Sequence, residues 1–136
     1  MTRVALDAMG GDHAPREIVV GAVEAAAELP DVKVLLVGRE DVIRDEFARL
    51  DKPLAAALQK ARKEGKIEVV HASEVLEMDD EPAKSVRAKK DCSINVCMGL
   101  VKNGMADAMV SAGNSGAVAA SAMFTLGASR ALRVLQ

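Results

Sequence analysis

Two short glycine-bearing segments hold the residues best suited to chemistry: Met9-Gly10-Gly11-Asp12-His13 and Ala112-Gly113-Asn114-Ser115-Gly116. Each follows a short apolar run that reads as a strand and precedes a run that reads as a helix. Backbone N–H groups in such turns, beside a helix N-terminus, favour an anion. The expected chemistry is the handling of phosphate, through the N–H groups of Gly10, Gly11, Gly113 and Gly116, with tight strand-to-helix turns as the bland alternative for these glycines. Asn114 and Ser115 add side-chain donors, with helix capping as their bland alternative. His13 could act as acid/base or as a hydrogen-bond partner of phosphate. Asp7 and Asp12 could orient it; the alternative is a capping cluster of Asp12 and His13. Neither segment is a G-x-G-x-x-G or a P-loop.

The elements that must position these residues alternate strand and helix. Strands are expected over Val4–Asp7, Val32–Val37, Ile67–Val70 and Ala108–Val110. Pro15 suits a first helical turn, and Ile18, Val19, Ala22, Val23 and Ala26 then fall on one face. A second helix is expected over Asp41–Leu50, with Val42, Ile43, Phe47 and Leu50 as its apolar stripe. The third is capped by Asp51 and closed by Gly65. The segment Ser73–Asp91 reads as the least regular. Ser93 or Asn95 is expected to cap a helix ending at Asn103-Gly104, and Ala117–Leu126 forms another. This order implies an α/β fold with a mostly parallel sheet flanked by helices, in one domain over residues 1–136. Ligands in such sheets sit beyond the carboxyl ends of the strands, where both glycine segments fall. Residues 129–136 read as the start of a further element, so the domain is expected to be incomplete, with an exposed sheet edge that favours self-association.

Composition narrows the function classes. Half of the 136 residues are apolar, the net charge is −2, and Phe47 and Phe124 are the only aromatics. This argues against nucleic-acid binding. Cys92 and Cys97 have neither redox nor zinc-site spacing and read as reduced, partly buried thiols. No signal peptide or apolar run long enough to span a bilayer is apparent. His71 ends an ordinary strand and reads as structural. Lys84, Arg87, Lys89 and Lys90 form the only dense basic cluster, and Arg87 could fork onto phosphate. Met98, Met105, Met109 and Met123 read first as core filler.

Three blocks carry a resemblance: Val4 to Pro15, Ser85 to Ser93, and Ala106 to Ala117. In this order they resemble the bacterial acyl-[acyl-carrier-protein]:phosphate acyltransferases of the PlsX type. Cys92 and Ser115 stand where that family commonly has Ser and Thr. The resemblance implies a three-layer α/β/α fold of the isocitrate/isopropylmalate dehydrogenase kind. It implies transfer of a fatty acyl group from acyl carrier protein to inorganic phosphate, giving acyl phosphate for phospholipid synthesis. It further implies no metal or cofactor, a homodimer, and a cytoplasmic enzyme with loose membrane association. A coenzyme A-dependent short-chain phosphotransacylase, or a catalytically incomplete phosphate-binding chain, are the alternatives. Family members are much longer than 136 residues.

Overall fold

The structure is a computed structural model and describes residues 1–127 together with 134 and 135. The strands are β1 (Thr2–Asp7), β2 (Val32–Gly38), β3 (Ile67–His71), β4 (Ala108–Val110) and β5 (Val134–Leu135). The helices are α1 (Arg16–Glu28), α2 (Glu40–Ala48), α3 (Lys52–Lys63), α4 (Pro82–Ala88), α5 (Ser93–Lys102) and α6 (Ser115–Leu126). All strand pairs are parallel, in the order β3-β2-β1-β4-β5.

That order has a consequence for function. The chain moves outward from β1 through β2 to β3, then returns to the far side of β1 with β4. Right-handed crossovers therefore place the two sets of helices on opposite faces. The apolar clusters agree. Val34 and Leu36 pack with Val19, Val23, Ile43 and Leu58 from α1, α2 and α3. Leu35 and Val37, their alternating neighbours, pack with residues from α4, α5 and α6. Between β1 and β4 the winding reverses, the position at whose carboxyl ends open α/β sheets bind their ligands.

Local chemistry accounts for most boundaries. Asp51 caps α3, its Oδ1 accepting from the Leu54 N–H at 3.0 Å, and Gly65 follows the C-cap of that helix at φ +68°. Several expectations are corrected. Pro15 occupies the N-cap of α1 instead of its first turn, and among the described residues no side chain caps that helix, so Asp12 and His13 form no capping cluster. Ser73–Asp91 is more regular than expected, because Glu81 caps α4 by accepting from the Ala83 and Lys84 N–H groups. Neither Ser93 nor Asn95 caps α5. Cys92 holds the N-cap, Ser93 is the first helical residue, and Asn95 lies inside the helix. Helix α6 starts at Ser115, two residues before the expected Ala117, because Asn114 caps it. Met98 and Met109 are core, but Met105 and Met123 are exposed. The further element expected over residues 129–136 lies outside the described residues except for 134 and 135. Among the described residues no helix is long and apolar enough to cross a membrane.

Candidate functional site: two glycine loops meeting at the sheet's turning point

The loops that follow β1 and β4 touch. A Cβ on Gly10 would lie 2.8 Å from the Gly113 nitrogen, 3.0 Å from the Gly113 Cα and 2.7 Å from Asp7 Oδ2. Only glycine permits this approach. Gly11 adopts φ +100° against Ala112, a left-handed conformation that favours glycine.

Asp7 and Ser111 tie the loops together from below. The register pairs Ala5 with Met109, so the residues two positions on project from the same face. There Ser111 Oγ donates to Asp7 Oδ2 at 2.8 Å. Asp7 Oδ1 accepts from the Met9 N–H at 3.0 Å. Both side chains are buried, at 1% and 2% exposure. Asp7 therefore braces the loops and is not turned to orienting His13. Sequence reading missed Ser111 entirely. The available signal was its alternation with Met109 at the strand end.

The four glycines are not equivalent. The Gly113 N–H donates to Ser111 Oγ at 3.1 Å, so it is spent within the loop and not offered to an anion as expected. The N–H groups of Gly10, Gly11 and Gly116 have no acceptor among the described residues. Gly116 sits on the α6 N-terminus, packed against Pro82 so closely that a Cβ would lie 2.7 Å from Pro82 Cγ.

Asn114 is engaged at both ends. Its Oδ1 accepts from the Ala117 N–H at 3.0 Å, and its Nδ2 donates to the Asp80 carbonyl at 3.0 Å, with the Met78 and Glu77 carbonyls at 3.4 and 3.5 Å. The side chain caps α6 and holds the 77–80 turn against it. Ser115 is exposed in the first turn of α6. Asp12 and His13 are exposed in the first loop, on the chain leading to α1.

The basic cluster divides. The Arg87 guanidinium stacks 4.4 Å from the centroid of the Phe124 ring, near the last turn of α6. Phe124 lies nine residues beyond Ser115, about 13 Å along the helix axis. The structure thus does not bring Arg87 to the glycine crevice. Arg87 and Lys90 instead line a separate open cavity of about 450 Å³ with Val86, Asn95, Phe124 and Thr125. Lys89 turns inward and donates to the Val75 carbonyl at 2.9 Å and to Asp80 Oδ2 at 3.2 Å. Lys84 stays exposed.

The remaining polar groups are structural. His71 Nδ1 accepts from the Glu40 N–H at 3.1 Å, so its ring joins β3 to α2. Cys92 and Cys97 are fully buried, not partly so. Burial, and secondarily the Asp7 carboxylate, pushes the Cys97 thiol well above its ordinary value. Cys92 is raised as well, chiefly by burial. Neither is a nucleophile in this setting.

Comparison with known proteins decides the family. The model of a family described as fatty acid synthesis protein matches residues 2–133. The chain belongs to this family. A protein named phosphate acyltransferase from Anaeromyxobacter is 55% identical over 124 residues, which is 91% of this chain and 32% of that protein. A phosphate acyltransferase of Gloeothece citriformis is 49% identical over 125 residues, 92% of this chain and 32% of its own length. That of Thermoanaerobacter pseudethanolicus is 46% identical, again over 92% of this chain and 33% of the relative. The chain spans about a third of the length of these curated relatives.

Proposed function

We propose that this chain provides the phosphate cradle of an acyl-[acyl-carrier-protein]:phosphate acyltransferase. The observation that carries this reading is the contact of Gly10 with Gly113 at the β1/β4 turning point, with the N–H groups of Gly10, Gly11 and Gly116 left without an acceptor among the described residues. Membership of the family supports it.

In this reading inorganic phosphate lies against the N–H groups of Gly10, Gly11 and Gly116, at the positive end of α6. A phosphate oxygen attacks the carbonyl carbon of the acyl thioester. The tetrahedral oxyanion forms beside the same donors, with Ser115 at the helix N-terminus. The carbon–sulfur bond then breaks, leaving acyl phosphate and the carrier thiolate. His13, with Asp12 beside it in sequence, supplies the proton that the departing sulfur takes up. Asn114 shapes the cradle, and Asp7 and Ser111 fix its floor. No metal or cofactor enters these steps. The partners are acyl carrier protein and a second copy of the enzyme, acting in the cytoplasm with peripheral membrane contact.

The test follows release of free carrier thiol from a long-chain acyl carrier substrate by the 136-residue chain, with and without inorganic phosphate. Backbone amide shifts of Gly10, Gly11 and Gly116 are recorded as phosphate is titrated. Release that requires phosphate, with shifts at those amides, is expected. Glycine amides that ignore phosphate overturn the cradle. Faster release from short-chain coenzyme A thioesters than from the carrier overturns the substrate assignment.

A further inference from the structure

Lys89 is the one member of the basic cluster turned into the protein, and it reaches the crevice only through other groups. Its ammonium joins the Val75 carbonyl to the Asp80 carboxylate. The same Asp80 Oδ2 accepts from the Glu77 N–H at 2.9 Å, which closes the 77–80 turn along with the Asp80 N–H donated to the Glu77 carbonyl at 3.2 Å. The Asp80 carbonyl in turn accepts from Asn114 Nδ2, and Asn114 Oδ1 caps α6. The residues after the turn add a second contact, because Pro82 packs on Gly116. A continuous hydrogen-bonded path thus runs from Lys89 through the turn to the N-terminus of α6, where the Gly116 N–H has no acceptor among the described residues.

We infer that Lys89 is a positioning residue: by clamping the 77–80 turn it sets the position of Asn114 and of the α6 N-terminus that faces the anion crevice. Its effect on phosphate rests on the cradle reading above; its effect on Asn114 does not. The chemistry of the site explains why a cation is needed. One group must donate to a neutral carbonyl and to a carboxylate at once, and must balance the charge Asp80 keeps. The Glu77 N–H and the Lys89 ammonium together hold the Asp80 carboxyl below its ordinary value. Removing the ammonium takes that donor from the Val75 carbonyl and leaves Asp80 Oδ2 with the Glu77 N–H alone and its charge unbalanced, and the turn relaxes toward water. Lys90 has the same charge one residue on but is exposed, so it serves as the matched control.

The experiment compares Lys89→Met, Lys89→Arg and Lys90→Met in the 136-residue chain. It reads the side-chain amide resonance of Asn114, the dissociation constant for inorganic phosphate and the thermal midpoint. Lys89→Met is expected to shift the Asn114 signal and weaken phosphate binding about fivefold, as for a residue coupled to a site through a contiguous network. Lys89→Arg is expected to restore both, and Lys90→Met to leave the Asn114 signal in place. An unmoved Asn114 resonance in folded Lys89→Met overturns the inference. So does an equal loss of phosphate affinity in Lys89→Met and Lys90→Met, which marks a general charge effect. If Lys89→Met fails to fold, Asp80→Asn decides: it keeps an acceptor for the Glu77 N–H while removing the charge Lys89 meets. A shifted Asn114 signal then supports the clamp and an unmoved one overturns it. Should the wild-type glycine amides ignore phosphate, the cradle fails while the Asn114 readout still judges the clamp.

Discussion

After β1 the chain takes residues 8–15 to reach α1; after β4 it takes only 111–114 to reach α6. The two loops share a glycine-rich composition and neighbouring strands, but their hydrogen bonds differ. The first is open: Gly11 turns at φ +100°, α1 has no side-chain cap, and Asp12 and His13 face solvent. The second is braced: Gly113 donates to Ser111, Asn114 caps α6, and the 77–80 turn grips Asn114 from outside. Glycines of one pattern thus serve two ends. Gly10 packs on the second loop while its N–H and that of Gly11 have no acceptor among the described residues; Gly113 spends its N–H on Ser111, and Gly116 packs on Pro82. A binding cradle needs both, since free donors must be held by something that does not move.

The sharpest way to break this comparison is at the contact itself. Gly10→Ala drives a methyl group into Asp7 Oδ2 and the Gly113 backbone, and backbone cannot swing aside. We expect a loss of about 1–3 kcal/mol by overpacking, read by chemical denaturation, together with loss of phosphate binding. Gly21→Ala, in α1 with no atom near the added carbon, is the control and should be neutral or slightly stabilising. If Gly10→Ala proves as mild as the control, the loops do not pack as described.

Asn114→Ala removes the α6 cap and the grip on the turn together. The cap alone is worth about 1 kcal/mol, so the thermal midpoint should fall measurably. Phosphate affinity should fall with it, whereas His13→Ala should leave the stability within about 0.5 kcal/mol of wild type and alter turnover only. An Asn114→Ala chain that binds phosphate normally would show that bracing and binding are separate.

Acid should loosen the 77–80 turn that grips the second loop. Asp80 is held below its ordinary value of 3.8, first by the Glu77 N–H and then by Lys89. A depressed carboxyl contributes stability that is whole above the unfolded value and is lost as pH falls through the folded one. The Asn114 side-chain resonance should therefore shift as pH drops below 3.8, and Asp80→Asn should remove that dependence. Asp91, bonded to Ser73, and Asp107, bonded to Arg3, are lowered too and contribute to global acid unfolding over the same window.

Much of the fold was legible because its signals are local. Apolar runs with β-branched residues marked β1 to β4, and Asp51 and Gly65 marked both ends of α3. Capping was less legible. Ser93 and Asn95 both suit a cap, but burial of Ser93 and the tie of Asn95 Nδ2 to the Val86 and Lys89 carbonyls gave them other places. Arg87 looked like a phosphate ligand from its charge and surroundings, but the parallel run of α4 along α6 carried it to Phe124. Lys89 and Lys90 are indistinguishable in sequence, yet one is a half-buried clamp end and the other is solvated.

By itself the sequence determined the alternation of strand and helix, the two glycine loops at one sheet edge, and the blocks that mark the family. These depend on residue type and short-range spacing, which the chain states directly. Tertiary structure alone decided that β4 returns beside β1, that Gly10 therefore meets Gly113, and that Ser111 finds Asp7 104 positions away. Such pairings depend on which strand neighbours which. That choice is settled by burying both faces of the sheet at once, and no local spacing encodes it.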